Sequence, residues 1–282
     1  MTSNTHVFDA AEVLCTEGFQ AYFKELANYF ASNKRDNLTN GEFLNRTARA
    51  TLPLACNQEA LFYTVAYAWP HYLTMRKLIE DLIEVTADNG SIKLQVIDYG
   101  CGQGVASIAF IEFLIEKGLT ENCEIDLVLI DPSFVSLQIA QYLCARLAKA
   151  YGINMTIQTQ PCELKDARLP KANIYNDTIH LMSNVLDVDT VQESLDDLVS
   201  QIAKIPGSHL LFATSPSYSG TQAGFNMLKQ LTPYASVWQE DDIKLWHEQY
   251  IITQDRWMQC SAKRDLMMLS WEASDAGLEV AC

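Results

Sequence analysis

The stretch VIDYGCGQGVAS, Val96 to Ser107, constrains the fold of this 282-residue chain more than any other. Three of the chain's 12 glycines, Gly100, Gly102 and Gly104, stand there at alternate positions, directly after an apolar run. Glycine adopts backbone conformations with positive φ and lets the main chain approach a ligand closely. An apolar strand, a glycine turn and a helix in this order predict the first βα unit of an α/β fold, with the turn at a ligand-binding edge.

The chain beyond residue 91 repeats this alternation of strands and helices. The short apolar runs, typical of strands buried on both faces, are KLQVIDYG, IDLVLID, NMTIQTQ, DTIHLMSNVL and SHLLFATS. Helical runs between them predict parallel strands joined by right-handed crossovers. IKLWHEQYIITQ and DLMMLSWEA predict two closing strands, so we expect a seven-stranded, mostly parallel sheet with helices on both faces.

The first 90 residues are predicted to be helical and to form a cap. In GFQAYFKELANYF, aromatic and aliphatic residues recur at helical spacing. TNGE, Thr39 to Glu42, has the spacing of a capping box. The run NQEALFYTVAYAWPHYLTMRKLIEDLIEV indicates two helices, or one helix kinked at Pro70. The turn signal DNG at 88–90 then separates the helical region 1–90 from an α/β domain over 91–282.

Charge and hydropathy limit the classes of partner. With 20 basic and 35 acidic residues the net charge is −15, which argues against an extended nucleic-acid surface, because such binding depends on Lys and Arg contacts to phosphate. No apolar run approaches the roughly 18 residues of a membrane span. The N-terminus shows no secretory signal, so we expect a cytoplasmic protein that contacts no membrane.

The eight cysteines are scattered along the chain and form no Cys-x-x-Cys pair. This spacing argues against a disulfide framework and against a zinc site. We therefore expect free thiols and no metal centre.

Two classes of ligand use a glycine turn of this kind. A dinucleotide site needs Gly-x-Gly-x-x-Gly and an acidic residue about 20 positions later. Here the third glycine comes one position early, and Val105 occupies its slot. Asp131, the acid at the end of the second predicted strand, follows Gly100 by 31 residues. The sequence therefore fits a dinucleotide site poorly.

A second pattern fits better. Asp98 to Gly104, DYGCGQG, resembles motif I of the class I S-adenosylmethionine (SAM)-dependent methyltransferases. LVLIDPS places Asp131 where that family has its ribose-binding acid, and DTIHLMSNVLDV stands at the family's fourth-strand motif. The similarity covers roughly Leu94 to Tyr218. It implies a Rossmann-like fold with SAM as cofactor, and an N-terminal helical lid over the acceptor.

The resemblance also implies which residues bind the cofactor. Asp98 matches the residue that meets the ammonium group, and Asp131 is suited to accept charge-assisted hydrogen bonds from both ribose hydroxyls. The family's adenine loop falls on CEL at 162–164, where either Glu163 or Asp166 takes the place of an Asp often found there. The full implied set is Asp98, Gly100, Cys101, Gly102, Gly104, Asp131, Cys162, Glu163, Ser183 and Asn184.

The fourth-strand motif bears on the class of acceptor. Family members that methylate the amino group of adenine or glutamine usually carry Asn/Asp-Pro-Pro-Tyr/Phe there, whereas this chain has MSNVL at 182–186. The missing prolines argue against methylation of a base amine and, together with the acidic charge, favour a small-molecule acceptor. His180, in the same strand, is more typical of a hydrogen-bonded core histidine than of a base.

An aromatic face precedes motif I. Tyr63, Tyr67 and His71 are four residues apart and share one face if the helix continues past Trp69. Aromatic rings attract a sulfonium, and a lid excludes water from the reaction. We therefore expect substrate contacts from Tyr63 and Tyr67 and a general-base role for His71, with plain packing on the sheet as the alternative.

Tyr218 is a further candidate for substrate contact. It lies in ATSPSY after the fifth predicted strand, where Ser215 and Ser217 stand beside it. The alternative is an ordinary Ser-Pro turn without a ligand.

The sequence thus predicts a SAM-dependent methyltransferase that acts on a small molecule by an SN2 displacement, in which positioning supplies much of the catalysis. Three alternatives stay open at this point. They are an RNA or protein methyltransferase that works with a partner, a methyltransferase-like binding protein without activity, and another SAM reaction such as a lyase or side-chain transfer. Apolar residues on the N-terminal helices suit a homodimer interface as well as a lid.

Overall fold

A seven-stranded sheet lies at the centre of the computed structural model, which describes residues 5–48, 50–82, 92–170 and 177–273. The strand order is β3-β2-β1-β4-β5-β7-β6, in which β1 to β5 run parallel and β7 is antiparallel to both of its neighbours. This order confirms the predicted Rossmann-like, mostly parallel sheet. The strands are β1 (Ile92–Tyr99), β2 (Cys123–Ile130), β3 (Asn154–Gln160), β4 (Asp177–Ser183), β5 (Gly207–Pro216), β6 (Ser236–Ile251) and β7 (Arg256–Ala273).

Helices cover both faces of the sheet and create two cores. Val96 packs in a core with the N-terminal helices, α7 and α8, whereas its neighbour Ile97 packs in a second core with α9 and α10. Successive strand residues point to opposite faces, so the continuous apolar run of β1 serves both cores. The helices are α1 (His6–Asp9), α2 (Ala11–Glu17), α3 (Phe19–Ser32), α4 (Asn40–Thr47), α5 (Asn57–Tyr63), α6 (Trp69–Leu82), α7 (Val105–Glu116), α8 (Phe134–Ala150), α9 (Asp189–Ile202) and α10 (Ser219–Leu231).

The strand order reverses at β1, which lies between β2 and β4. Asp98 of β1 stands opposite Leu129 of β2 and Leu181 of β4, so the carboxyl ends of three central strands meet at one edge. In open α/β sheets, ligands bind outside the carboxyl ends of the strands at such a reversal. The glycine turn leaves β1 at this point.

Residues 57–82 form one continuous helical run, in which a π-helix (Thr64–Ala68) joins α5 to α6. The sequence allowed two helices or a kink at Pro70, and the structure instead inserts a π-helical stretch just before Trp69. Pro70 has no N–H to donate to the carbonyl of Ala66, four residues earlier. The side chain of Gln249 on β6 supplies the missing donor, with Nε2 at 2.6 Å from the Ala66 oxygen.

The β6–β7 hairpin is longer than the sequence patterns predict. β5 ends at Pro216, opposite Arg264, so the part of β7 before Arg264 pairs only with β6. This outer part reaches the N-terminal helices, where Trp257 meets the ring of Phe23 edge-on at 6.0 Å between centroids. The hairpin therefore supports the helical run from outside the sheet.

Three smaller features of the described residues bear on the sequence analysis. The capping box is formed, because Glu42 N donates to Thr39 Oγ1 at 3.3 Å while Thr39 N donates to Glu42 Oε2 at 2.8 Å. Every described cysteine is a free thiol. Within the described ranges, no helix has the length and apolar content to cross a membrane.

Helix α10 and the turn at 88–90 are the two elements for which the sequence analysis and the described structure do not agree or cannot be compared. Helix α10 was not predicted, because its two glycines weaken the helical pattern. Gly224 is needed there for close packing, since a Cβ at that position would lie 2.3 Å from the carbonyl oxygen of Leu186. The turn predicted at 88–90 lies outside the described residues.

A chain of polar side chains crosses the second core. Tyr99 Oη lies 2.9 Å from His180 Nδ1, His180 Nε2 lies 3.0 Å from His209 Nδ1, and His209 Nε2 lies 2.8 Å from the Ile205 oxygen. The carbonyl of Ile205 can only accept, so each histidine donates from Nε2 and accepts at Nδ1, and Tyr99 donates. Every bond is made only while both imidazoles are neutral. His180 is thus the hydrogen-bonded core histidine that the sequence favoured.

Acid should destabilise the fold through these histidines. Burial lowers the pKa of His180 and of His209, so below about pH 6.5 the unfolded chain binds protons that the native chain does not. The free energy of unfolding should fall from pH 7 to pH 5 by up to about 1.4 kcal/mol per pH unit for each histidine. Urea unfolding at both pH values measures this. A His209→Gln variant should show a shallower decrease, and an identical decrease would contradict the account.

Loss of the Gln249 side-chain amide should destabilise the helical run. Gln249→Leu leaves the half-buried Ala66 carbonyl without this donor, which should lower the free energy of unfolding by about 1–3 kcal/mol. Gln20→Leu, at an exposed position on α3, is the control and should change it by no more than about 0.5 kcal/mol. Equal losses in the two variants would show that the bond to Ala66 does not stabilise the run.

Candidate functional site

The glycine turn has a left-handed backbone and one open side. Gly100 and Gly102 have φ of +62° and +51°, a region that glycine tolerates without strain. A Cβ at Gly100 would lie 2.6 Å from Val185 Cγ1, so packing against the end of β4 also requires glycine there. At Gly102 a Cβ would meet no atom within 4 Å. The turn therefore packs tightly on one side and leaves free space on the other.

Asp131 holds the turn in this shape. Its Oδ2 accepts from the Gly102 N–H at 2.9 Å, and its Oδ1 accepts from the Ser133 N–H at 2.7 Å. Burial raises the pKa of Asp131, and these two hydrogen bonds oppose that effect. Each carboxylate oxygen can accept more than one hydrogen bond, so Asp131 retains acceptor capacity toward a ligand. Burial raises the pKa of the neighbouring Cys101 thiol, which is therefore protonated at neutral pH.

Asp98, at the end of β1, is buried and only half satisfied. Its Oδ2 accepts from the N–H and the hydroxyl of Ser107, at 3.2 and 2.7 Å, at the start of α7. Its Oδ1 is buried and has no hydrogen-bond partner in the described part of the chain. Burial, with a smaller contribution from the charge of Asp131, raises the pKa of Asp98 to about 7. A buried carboxylate oxygen without a donor is suited to bind a cationic group of a ligand.

Gln103, a variable position of motif I, fixes the helical run to the turn. Its Nε2 donates to the Ala60 carbonyl at 2.8 Å, and its Oε1 accepts from the Thr64 hydroxyl. A second connection runs from the Ser133 hydroxyl to the Leu54 carbonyl at 2.8 Å. The sequence analysis missed Gln103, because its role depends on the position of a helix some 40 residues earlier.

The predicted aromatic face is formed, because the helix does continue past Trp69. The ring centroids of Tyr63 and Tyr67 lie 5.4 Å apart, and those of Tyr63 and His71 lie 6.3 Å apart. Burial raises the pKa of Tyr63, and the nearby charge of Asp131 adds to this shift. Burial and then the charge of Arg264 lower the pKa of His71 to about 3. His71 is therefore a neutral imidazole at physiological pH.

The end of β4 carries the polar group predicted beside the turn, and β7 adds a cation to it. Asn184 has φ of +57° and donates from Nδ2 to Ser183 Oγ at 2.9 Å. Its Oδ1 accepts from Arg264 Nη1 at 3.2 Å. The sequence analysis missed Arg264, since it belongs to no motif and lies 80 residues beyond Asn184. Only the antiparallel return of β7 brings it to this edge.

Tyr218 lies at the rim of the site. Its ring is 48% exposed, and its hydroxyl donates to Asp187 Oδ2. Ser217 turns away from this edge, because its hydroxyl donates to Asp265 Oδ1 at 2.6 Å. Ser215 is completely buried. Of the three residues in this segment, Tyr218 alone presents much surface at the rim.

The loop after β3 reaches the same edge, because Gln160 pairs with Ile130 at the end of β2. Cys162 is half-buried there. The exposed carboxylate of Glu163 forms an ion pair with Lys165 at 2.8 Å. Asp166 ends a short 3-10 turn and is also exposed. The loop is thus placed beside Asp131, while both acids face solvent.

No protein-family model matches this sequence, and neither does any curated protein. Similar solved structures include a Listeria monocytogenes protein assigned to the class I SAM-dependent methyltransferases, with 14% identity, TM-score 0.44 and coverage of 96% of this chain and 88% of that one. Plantazolicin methyltransferase BpumL, in complex with SAH, has 9% identity, TM-score 0.38 and coverage of 96% of both chains. Geranyl diphosphate methyltransferase, in complex with GPP and sinefungin, has 10% identity, TM-score 0.38 and coverage of 89% and 99%. These similarities are too low to carry an activity over to this chain.

Removal of the Asp98 charge should stabilise the free protein above neutral pH. The folded-state pKa of Asp98 is raised above its unfolded value, so the free energy of unfolding falls as the pH rises from about 4 to about 7, and the full penalty is present above about pH 7. Asp98→Asn should therefore raise the free energy of unfolding at pH 8 by about 1–3 kcal/mol relative to its effect at pH 5, where Asp98 is already protonated. Urea unfolding at both pH values measures this. If Asp98→Asn changes the free energy of unfolding equally at pH 5 and pH 8, Asp98 does not carry an unsatisfied buried charge.

Proposed function

We propose that this chain is a SAM-dependent methyltransferase with a small-molecule acceptor. The observation that carries the proposal is the buried Asp98 Oδ1, which has no donor among the described residues and lies at the end of β1 beside the glycine turn. Gly102, which has free space beside it, and Asp131, which can accept further hydrogen bonds, lie at the same edge of the sheet.

The chemical groups of SAM fit the donors and acceptors available at this edge. An ammonium group would satisfy Asp98 Oδ1, and a ribose diol would bind Asp131. The backbone around Gly100 to Gly104 would accommodate the methionine portion, with Cys101 between the glycines. We assign the adenine to the loop that holds Cys162 and Glu163.

SAM, when bound, supplies an electrophilic methyl group on a sulfonium. The chain's part is to position the acceptor, exclude water and receive a proton. We assign the positioning to the face of Tyr63 and Tyr67, whose rings also attract positive charge. Ser183 and Asn184 would line the site from the end of β4.

His71 is the candidate proton acceptor. It is neutral, and it has no hydrogen-bond partner among the described residues, so a ring nitrogen is free to accept from the acceptor's hydroxyl or amine. Its low pKa makes it a weak base in the free protein, so the proposal gives it an orienting hydrogen bond before any proton transfer. Tyr218, at the rim, would contact the outer part of the acceptor.

The helical region 1–90 would act as a lid that is fixed to the motif I turn. Gln103 and Ser133 both bond to this region, so the wall of the acceptor site is set by the same residues that shape the cofactor turn. A lid fixed in this way would favour a small molecule over an RNA or a folded protein.

Calorimetry with SAM and with its demethylated product S-adenosylhomocysteine (SAH) tests the proposal. We expect both to bind, and we expect Asp131→Ala to weaken SAH binding by roughly 1.5–3 kcal/mol, about 10- to 150-fold, because a charge-assisted pair is lost. Asp197→Ala, at an exposed position on α9, is the control and should leave the affinity unchanged.

Binding of neither ligand by the wild type would rule out the enzyme proposal. Unchanged affinity in Asp131→Ala would refute the ribose assignment alone. If both ligands bind, mass spectrometry of the products separates methyl transfer from cleavage of SAM.

A further inference from the structure

Arg264 carries a buried charge that forms no ion pair with a carboxylate of the described residues. It is 8% exposed and lies on β7 at the level where β5 ends. Its Nε is buried without a hydrogen-bond partner in the described ranges, and no ion pair joins its guanidinium to a described acid. Arginine stays protonated in proteins, and a buried unpaired charge is strongly unfavourable. A ligand of opposite charge would remove this penalty.

Two neighbouring acids, Asp265 and Asp187, form hydrogen bonds elsewhere. Asp265 follows Arg264 in β7, so its side chain points to the opposite face of the strand. There it accepts from Ser217, Asp242 and Gln222, at 2.6, 2.9 and 2.8 Å. Burial raises the pKa of Asp187 and the nearby charge of Arg264 opposes that effect, yet Asp187 Oδ2 accepts from the Tyr218 hydroxyl. Neither acid forms an ion pair with Arg264.

The free part of the guanidinium has the geometry of an oxyanion site. Nη1, on the side of Cδ, is occupied by Asn184 Oδ1 at 3.2 Å. Nε–H and one N–H of Nη2 form the opposite edge, where they point in parallel. This edge matches two oxygens of a carboxylate or a phosphate, which accept such donors as a bidentate pair.

The position of Arg264 places this edge on the acceptor side of the site. Its charge acts on both Tyr63 and His71, so it lies close to the aromatic face. The charge of Asp131 acts on Tyr63 as well, so this tyrosine is near both the proposed cofactor acid and the guanidinium. Asn184, the partner of Nη1, follows directly on the end of β4.

We propose that Arg264 binds an anionic oxygen group, a carboxylate or a phosphate, of the methyl acceptor. The proposal rests on the proposed function, because it names the class of acceptor for that same site. The acceptor is then a negatively charged small molecule whose apolar or aromatic part lies against Tyr63 and Tyr67. Arg264 selects this acceptor by a bidentate pair of hydrogen bonds from Nε and Nη2, and the bond from Nη1 to Asn184 orients the guanidinium.

The test uses the full chain saturated with SAH and three probes of similar size: benzoate, phenyl phosphate and benzamide. Calorimetry at constant ionic strength should show that one of the two anions binds the wild type at least about tenfold more tightly than benzamide does. In Arg264→Met this preference should fall below about twofold. Arg264→Lys keeps the positive charge but cannot form two parallel hydrogen bonds, so its preference for the anion should lie between those of the wild type and Arg264→Met. The better anion then distinguishes a carboxylate acceptor from a phosphate acceptor.

Arg256→Met is the matched control, because Arg256 is an exposed arginine on the same strand, and it should retain the wild-type preference. SAH affinity is measured for every variant and should stay within about twofold of wild type. Failure of SAH to bind the wild type would count against the proposed function. SAH binding by all variants, with the three probes treated alike by wild type and Arg264→Met, would overturn the anion site alone.

A signal from the side chain itself gives a second readout that depends on no variant's stability. The Arg264 Nε–H resonance, assigned by its absence from Arg264→Lys, should shift when the tighter anion is added to the SAH-loaded wild type. A resonance that does not move at saturating anion would likewise overturn the proposal.

Discussion

The candidate site depends on the side chain of Gln103, which bonds to two different turns of the N-terminal helical run. Its amide donates to the Ala60 carbonyl and accepts from the hydroxyl of Thr64, the first residue of the π-helix. Apolar packing alone has no directional preference and would leave the distance between lid and turn loosely defined. The two hydrogen bonds of the Gln103 amide set this distance. They thereby also fix the positions of the Tyr63 and Tyr67 rings relative to the glycine turn. Gln249 completes the arrangement from the other side, by supplying the donor that Pro70 lacks.

The site holds two buried charges of opposite sign that do not neutralise each other. Within the described residues, Asp98 Oδ1 at the end of β1 has no donor, and Arg264 Nε at the level where β5 ends has no acceptor. Both charges are unfavourable for folding, which distinguishes them from the chain of Tyr99, His180 and His209, where every hydrogen bond is made. Unsatisfied polar groups of this kind are typical of binding sites, because a ligand satisfies them. The two charges are consistent with two ligand groups, a cation at the turn and an anion at the acceptor.

Local patterns were sufficient to predict the sheet and the glycine turn, because a buried parallel strand and a βα turn have signatures within a few residues. The aromatic face was also predictable from helical spacing. The length of the hairpin, helix α10 and the roles of Gln103, Gln249 and Arg264 were not, because each depends on contacts between residues far apart in the chain. Arg264 reaches Asn184 across 80 residues and an antiparallel strand, and no spacing rule describes such a contact. The bond from Gln249 to Ala66 likewise joins the helical run to a strand at the other end of the sequence.

The most direct test of the central claim is the pKa of Asp98 itself, measured by ¹³C NMR of the side-chain carboxyl with and without SAH. In the free protein the carboxyl should titrate near pH 7, because it is buried and one oxygen has no donor in the described part of the chain. With SAH bound, the ammonium group should supply that donor, and the pKa should fall well below this value. A pKa that is unchanged by saturating SAH would contradict the assignment of Asp98 to the cofactor, and with it the account of why this carboxyl is buried.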